Sequence, residues 1–209
     1  EVCNWEDITK LSLSRFVDYL EDNYAKSSVR TYCAMFKALL SLYSDEVELP
    51  KDYAKILSVK GCVSEGIWLN DDEIERIIKY EPKSPIERIV RNQFVLEATV
   101  GARHSDIIKM TKENIVGDSI VYVSQKTKIK ATIPLSPVAA RFLDDLEFVT
   151  KTVCPNTFNT YIKQICRNCG INQKVKLFRH GVDMEGEKWE FATSHVGRKS
   201  FACNLYNRG

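Results

Sequence analysis

Hydrophobic spacing near the start of the chain predicts two amphipathic helices. Apolar residues of the first stretch recur every three or four positions: Leu13, Phe16, Val17 and Leu20. This spacing predicts a helix over residues 8–24. A second helix is predicted to begin at a Ser27 or Ser28 cap. Its apolar face would consist of Val29, Tyr32, Cys33, Phe36, Leu39 and Leu40.

The pattern then changes character near residue 61. A shorter helical stretch is predicted after Pro50, and residues 61–66 have the composition of a linker. We therefore expect two domains: a small helical domain over residues 1–63 and a larger one over residues 64–209.

The larger domain opens with strong helix signals. In "WLNDDEIERIIKY", Asn70 is a good N-cap and Glu73 stands three residues later, which is a capping-box pattern. Pro82 ends that helix, and an apolar helix is predicted over residues 86–99. Gly101 then allows a tight turn.

A β-hairpin interrupts the helices. In "DSIVYVSQKTKIKATIPL", two β-branched runs flank a polar turn at residues 125–128, which predicts two antiparallel strands. Helices are predicted near residues 136–146 and 156–169, a loop at residues 178–190, and a final helix after it. The fold class is therefore mainly α with a small antiparallel β-sheet.

Composition narrows the compartment and the class of protein. The 209 residues carry a net charge of +2 and seven cysteines without the spacing of a secreted domain, which favours a reducing cytosol. The sequence contains neither a membrane-length apolar run nor a signal-peptide pattern, so we expect no membrane partner.

Charge distribution is more informative than net charge. Residues 119–142 and 151–180 contain no Asp or Glu. Their cations are Lys126, Lys128, Lys130, Arg141, Lys151, Lys163, Arg167, Lys174, Lys176 and Arg179. Basic tracts without carboxylates suit a phosphate backbone, although a solvated basic surface would have the same composition.

Four residues stand out as candidates for chemistry. Arg103 follows the turn at Gly101, and Lys126 lies at the hairpin tip. His195 and Arg198 are three residues apart, so they share one helix face. Each taken alone is equally compatible with an ordinary surface role.

Taken together and in order, these segments resemble the tyrosine recombinases, the integrase family of phages and mobile elements. The resemblance rests on "GARHSD", "QKTKIKATIPL" and "TSHVGRKSFACNLYNRG". In addition, "RFVDYLEDNYAKSSVRTYCAMFKALL" is similar to the family's helical core-binding domain, a SAM-like DNA-binding module. The resemblance implies a helical core-binding domain followed by an α+β catalytic domain.

The resemblance also implies roles for single residues. Arg103 and Arg198 match the two catalytic arginines, Lys126 the hairpin lysine, and His195 the catalytic histidine, while Asp106 matches an acidic position that supports the first arginine. Two guanidiniums can hold the nonbridging oxygens of a phosphodiester as charge builds on them. A lysine can protonate the leaving 5′ oxygen, and a histidine can accept or position the proton of the nucleophile. This chemistry needs no metal and no cofactor.

Double-stranded DNA is the expected partner. The residues predicted to contact it are Lys128, Lys130, Lys163, Arg167, Lys174 and Lys176. The family resemblance implies a tetramer on DNA for the full-length protein, a monomer for a fragment, and a bacterial cytoplasmic, nucleoid-associated location.

The family's nucleophile is a tyrosine that forms a 3′-phosphotyrosine. It lies well beyond the second arginine, so we expect it after Gly209, in a C-terminal segment that this sequence lacks. Tyr206 is only eight residues past Arg198 on the same predicted helix, or about 12 Å along its axis. We expect Tyr206 to pack in the core and not to be the nucleophile, and we expect the fragment alone to be inactive.

Parts of the sequence also suggest three other interpretations: a zinc site, a topoisomerase and a non-catalytic protein. Cys166 and Cys169 have metal or redox spacing, but a zinc site would need Cys154 and His180 to join them, and we expect none. A type IB topoisomerase shares the chemistry of the recombinases. A non-catalytic DNA-binding protein could keep the same fold.

Overall fold

The computed structural model describes residues 4–61, 65–145, 147, 149–179 and 182–208. The chain divides into two compact units: Glu1–Glu65 with Lys176–Met184, and Gly66–Val175 with Glu185–Gly209. The predicted boundary after residue 63 lies outside the described residues. Lys176–Met184 groups with the first unit, whereas these residues lie within the predicted second domain, residues 64–209.

The first unit is built on three helices: α1 (Lys10–Asn23), α2 (Lys26–Leu42) and α3 (Tyr53–Ile56). Thr9 caps α1, because its side chain accepts a hydrogen bond from the amide of Ser12. The buried core of this unit consists of Leu13, Leu20, Val29, Cys33, Leu40 and Leu57. The predicted pair of amphipathic helices is confirmed.

The second helix differs in detail from the prediction. It begins at Lys26, and its N-cap, Ala25, lies two or three residues before the predicted serine cap. Two residues of its predicted apolar face, Tyr32 and Leu39, are nearly half exposed. The buried stripe is narrower than predicted, because only the positions that face the core are covered.

The second unit is organised around the long helix α5, which packs against α4, α7, α8 and α9. The α-helices that the structure describes in this unit are α4 (Asp71–Lys79), α5 (Pro85–Val100), α6 (His104–Ile107), α7 (Pro137–Leu143), α8 (Pro155–Asn168) and α9 (Ser194–Asn207). The predicted capping box is present, since Asn70 accepts from the amide of Glu73 and Glu73 accepts from the amide of Asn70. None of the helices among the described residues is both long and apolar enough to span a membrane.

The predicted hairpin is confirmed. Strands β2 (Ser119–Val123) and β3 (Lys130–Pro134) pair antiparallel, with Tyr122 opposite Ala131. A short strand, β1 (Ile115–Val116), pairs antiparallel with β2 on its other edge. The fold class, mainly α with small antiparallel sheets, is therefore as predicted.

The loop predicted at residues 178–190 is wrong. Strands β4 (Lys174–Arg179) and β5 (Val182–Glu187) form a two-stranded sheet, and a 3-10 turn follows at Lys188–Phe191. In "KVKLFR", exposed and half-buried residues alternate along β4, as in a strand with one covered face. Glycine and charged residues in β5 concealed this signal.

The final helix α9 lies against α5 with unusually close backbones. At Gly197, a Cβ atom would lie 2.8 Å from the Cβ of Glu97 and 3.2 Å from the carbonyl oxygen of Phe94. Two polar side chains of α9 hold the backbone of Leu69: Ser200 Oγ accepts from its amide at 2.8 Å, and Asn204 Nδ2 donates to its carbonyl at 3.0 Å. Buried groups thereby hold α9 in two places, against α5 at Gly197 and against the backbone of Leu69.

We expect Gly197→Ala to lower the free energy of unfolding by about 1–3 kcal/mol, because the added methyl group has no room against α5. Alanine is intrinsically the better helix former by about 1 kcal/mol, so a purely local effect would have the opposite sign. Urea denaturation measures the difference. Asn207→Ala, at an exposed position of the same helix, is the control and should stay within about 0.5 kcal/mol of wild type.

Candidate active site

Arg103 is positioned by the tight turn between α5 and α6. Gly101 ends α5 with φ of 69°, a left-handed conformation that favours glycine, and Arg103 is the N-cap of α6. The Arg103 guanidinium is half-buried, and its Nη1 donates to Ser124 Oγ at 2.8 Å. The turn therefore directs Arg103 towards the start of the β2–β3 turn.

Asp106 ties the same short helix to the hairpin. Its carboxylate is buried, and Oδ1 accepts from the backbone amide of Gln125 at 3.0 Å. The second oxygen, Oδ2, is buried and has no hydrogen-bond partner among the described residues. Asp106 therefore acts on the hairpin backbone, and within the described chain it forms no ion pair with Arg103.

Lys126 lies in the hairpin turn, as predicted. Ser124 donates its amide to Ile129 and accepts from the amide of Lys128, which closes the turn. Lys128 has φ of 57°, so a non-glycine residue occupies a left-handed position there. The Lys126 side chain is exposed and lies next to Gln125, the residue held by Asp106.

His195 and Arg198 occupy the first two turns of α9, and both are exposed. The start of the helix is held by Asn159, whose side-chain oxygen accepts from the amide of Ser194. Arg198 Nη1 donates to the carbonyl oxygen of Gly101. A shallow depression joins the two elements and is lined by Gly101, His195, Arg198, Lys199, Phe201 and Ala202.

Tyr122 is a component of this site that sequence reasoning missed. Burial, and next the Asp106 carboxylate, raise the pKa of the Tyr122 hydroxyl, while the Arg198 and Arg103 guanidiniums lower it. Both arginines therefore act on one half-buried phenol. The available signal was strand periodicity, because Tyr122 stands two residues before Ser124 and so faces the same side of the hairpin.

A buried acid, Glu97, contacts the residue that follows Arg103. Glu97 is 1% exposed, and its Oε1 lies 2.6 Å from Nδ1 of His104. Burial raises the pKa of Glu97 to about 7, against the opposing effect of the hydrogen bond and charge of His104. His104 follows Arg103 directly, and its ring meets Phe158 edge-on at 4.8 Å between centroids.

Comparison with known proteins identifies the family. Residues 67–209 match the model of the phage integrase family. The chain belongs to this family. Members are tyrosine recombinases, which break and rejoin DNA, so the family and the fold make the chain an enzyme of site-specific recombination. This favours the recombinase over the type IB topoisomerase.

Solved structures of integrases share the fold. A lambda integrase dimer bound to a COC′ core site has a TM-score of 0.70 at 18% identity, with 97% of this chain and 75% of that chain covered. The XerH site-specific recombinase in a post-cleavage complex has a TM-score of 0.66 at 14% identity. The match covers 97% of this chain and 63% of the XerH chain. Comparison with curated proteins finds no significant sequence match.

One expectation about the integrase helix α9 is wrong. Tyr206 was expected to pack in the core, yet its side chain is 86% exposed. The buried stripe of α9 runs through Val196, Ser200 and Asn204 at intervals of four residues. Tyr206 is two residues past Asn204, which places it on the opposite side of the helix.

The residues predicted to bind DNA lie on three elements. Lys128 and Lys130 are exposed in and beside the hairpin turn, Lys163 and Arg167 lie on α8, and Lys174 and Lys176 are exposed on β4. Arg167 also stacks over the Trp189 ring, at 5.3 Å from the ring centroid. Trp189 donates its indole N–H to Glu187, so this pair has structural partners as well.

Cys166 and Cys169 are the cysteines with the spacing of metal ligands. Among the described residues, no group of three or more His, Cys, Asp or Glu side chains could hold a metal ion. Burial raises the pKa of both Cys166 and Cys169, the latter to about 11, which disfavours the metal-binding thiolate. His180 lies outside the described residues.

Glu97 should make the stability of this integrase pH-dependent. Its folded pKa is raised, so its favourable contribution is complete below about pH 4.5 and is lost as the pH rises towards 7. At about 1.4 kcal/mol per pH unit, wild type should lose roughly 2 kcal/mol relative to Glu97→Gln between about pH 5 and pH 8. Denaturant unfolding at a series of pH values measures this; parallel pH profiles would show that Glu97 does not titrate in this range.

Proposed function

We propose that this recombinase holds the scissile phosphate between Arg103 and Arg198. The observation that carries the proposal is the junction at Gly101 and Tyr122. Arg198 donates to the carbonyl oxygen of Gly101, Arg103 lies two residues later in the same turn, and both guanidiniums act on the Tyr122 hydroxyl. Two distant parts of the chain thus bring two cations to one place on the surface.

The chemistry follows from where charge develops. Attack on a phosphodiester concentrates negative charge on the nonbridging oxygens, and two guanidiniums stabilise that charge most in the transition state. Lys126, exposed at the hairpin tip, would protonate the leaving 5′ oxygen. His195, one helix turn before Arg198, would accept or position the proton of the attacking tyrosine.

DNA binding would use the basic, acid-free tracts of the chain, residues 119–142 and 151–180. The proposed contacts are Lys128, Lys130, Lys163, Arg167, Lys174 and Lys176. The similar lambda integrase structures include a dimer on a core site and a tetramer on a Holliday junction. By analogy, we propose that this chain binds double-stranded DNA and assembles as a multimer on it, in the bacterial cytoplasm.

Removing either arginine should slow DNA cleavage strongly. In the recombinase at its natural length, Arg103→Ala and Arg198→Ala should each lower the cleavage rate by about 10²–10³-fold, while DNA affinity changes little. Arg198→Lys should also be strongly impaired, because a lysine cannot bind two oxygens bidentately. Labelled duplex on denaturing gels gives the rate, and fluorescence anisotropy gives the affinity.

Lys79→Ala is the matched control, because Lys79 is an exposed cation paired with Glu75 on α4. Normal cleavage by either alanine variant at Arg103 or Arg198 would contradict the proposal, and no cleavage by wild type would favour a non-catalytic DNA-binding protein.

The same gels test which tyrosine is the nucleophile. Tyr206→Phe should still form a covalent adduct, since residue 206 lies about 12 Å past Arg198 along the helix.

DNA binding should weaken steeply with salt, because bound lysines displace counterions from phosphates. Each phosphate contact contributes about 0.9 to the slope of log affinity against log salt concentration. Lys130→Ala, on the exposed face of β3, should reduce that slope by about 0.9, and Lys79→Ala should leave it unchanged. An unchanged slope in Lys130→Ala would remove β3 from the DNA interface.

A further inference from the structure

The Glu97 carboxylate touches both elements that carry the arginines. Towards α6, its Oε1 is hydrogen-bonded to Nδ1 of His104, the residue after Arg103. Towards α9, its Oε2 would lie 3.0 Å from a Cβ atom at Gly197, the residue before Arg198. The backbone carbonyl of Glu97 also accepts from the amide of Gly101 at 3.0 Å.

Burying the Glu97 carboxylate costs free energy, which indicates that the carboxylate has a function at this position. Glu97 is almost completely buried, and Oε2 has no hydrogen-bond partner among the described residues. A buried polar oxygen without a partner is costly, and an apolar side chain of similar size would pack there without that penalty. His104 is therefore the one side chain that holds the Glu97 carboxylate within the described part of the chain.

We propose that Glu97 and His104 are positioning residues that set the separation of the Arg103 and Arg198 guanidiniums. This inference rests on the proposed function of the two arginines. The hydrogen bond fixes the turn that bears Arg103 to the point on α5 where α9 is seated. A displacement of about 1 Å at a reacting group can cost on the order of 10²-fold in rate.

A simpler role for His104 is to pack its ring against Phe158. Two pairs of variants separate the two roles. His104→Asn keeps an N–H donor near the Nδ1 position but loses most of the ring, whereas His104→Phe keeps a ring and loses the donor. Glu97→Gln keeps an oxygen acceptor, whereas Glu97→Met keeps the length of the side chain and loses it.

The test measures cleavage rate at saturating DNA, together with DNA affinity, for the recombinase at its natural length. We expect His104→Asn and Glu97→Gln to stay within a few-fold of wild type. We expect His104→Phe and Glu97→Met to lose on the order of 10²-fold in cleavage rate with unchanged affinity. If one of the two disruptive variants, His104→Phe or Glu97→Met, fails to fold, the other one tests the inference. Normal cleavage in His104→Phe or Glu97→Met, or equal losses in His104→Asn and His104→Phe, would overturn the inference.

A second readout does not depend on cleavage. The side-chain Nε–H signals of Arg103 and Arg198 in ¹⁵N NMR spectra report on the surroundings of both guanidiniums. They should shift in His104→Phe and Glu97→Met and stay in place in the two conservative variants. If wild type does not cleave DNA but these signals respond as expected, the proposed function fails and the positioning role stands. If the signals stay in place in His104→Phe and Glu97→Met, which lack the hydrogen bond, the positioning role is refuted.

Discussion

The seating of α9 on α5 is the contact on which the candidate site depends. Helices normally pack with their axes 8–10 Å apart, and the side chains at the contact set the distance. At Gly197 there is no side chain, so the backbone of α9 rests directly on Glu97 and on the carbonyl oxygen of Phe94. His195 and Arg198 flank this point, so the seat also fixes where their side chains begin.

Polar groups, more than apolar ones, hold α9 in this seat. Its buried face includes Gly197, Ser200 and Asn204, and the last two satisfy both the amide and the carbonyl of Leu69. Hydrogen bonds are directional, so they fix the rotation of the helix about its axis, which apolar packing alone does not do. A rotation of one residue, about 100°, would carry Arg198 away from the Gly101 carbonyl.

This polar seat also explains what sequence reasoning reached and what it missed. The Asn70 capping box, the β2–β3 hairpin and the order of Arg103, Lys126, His195 and Arg198 are local signals, and they are visible in the sequence. Helix α9 lacks a clear apolar stripe, so its sequence does not show which face is buried, and the prediction that Tyr206 packs in the core is wrong. Strands β4 and β5 were missed because charged residues dominate them.

The roles of Glu97 and Tyr122 could not be predicted, because both depend on contacts between residues far apart in the chain. Glu97 is one of two acids in α5, and in the sequence it resembles an ordinary surface residue. Only the packed fold shows that its carboxylate is buried between α6 and α9. Tyr122 likewise gains its importance from Arg198, which reaches it from the last helix.

The hydrogen-bond acceptors of Arg103 and Arg198 hold both guanidiniums without a negatively charged partner among the described residues. Arg103 donates to a serine hydroxyl and Arg198 to a backbone carbonyl, and both of these acceptors are neutral. One oxygen of Asp106, the acid on α6, accepts a hydrogen bond from the backbone amide of Gln125. Within the described residues, neither arginine forms an ion pair, so their geometry is fixed while their charge stays uncompensated. A carboxylate partner would hold a guanidinium equally well, but it would cancel the positive charge that the proposed phosphate-binding role requires.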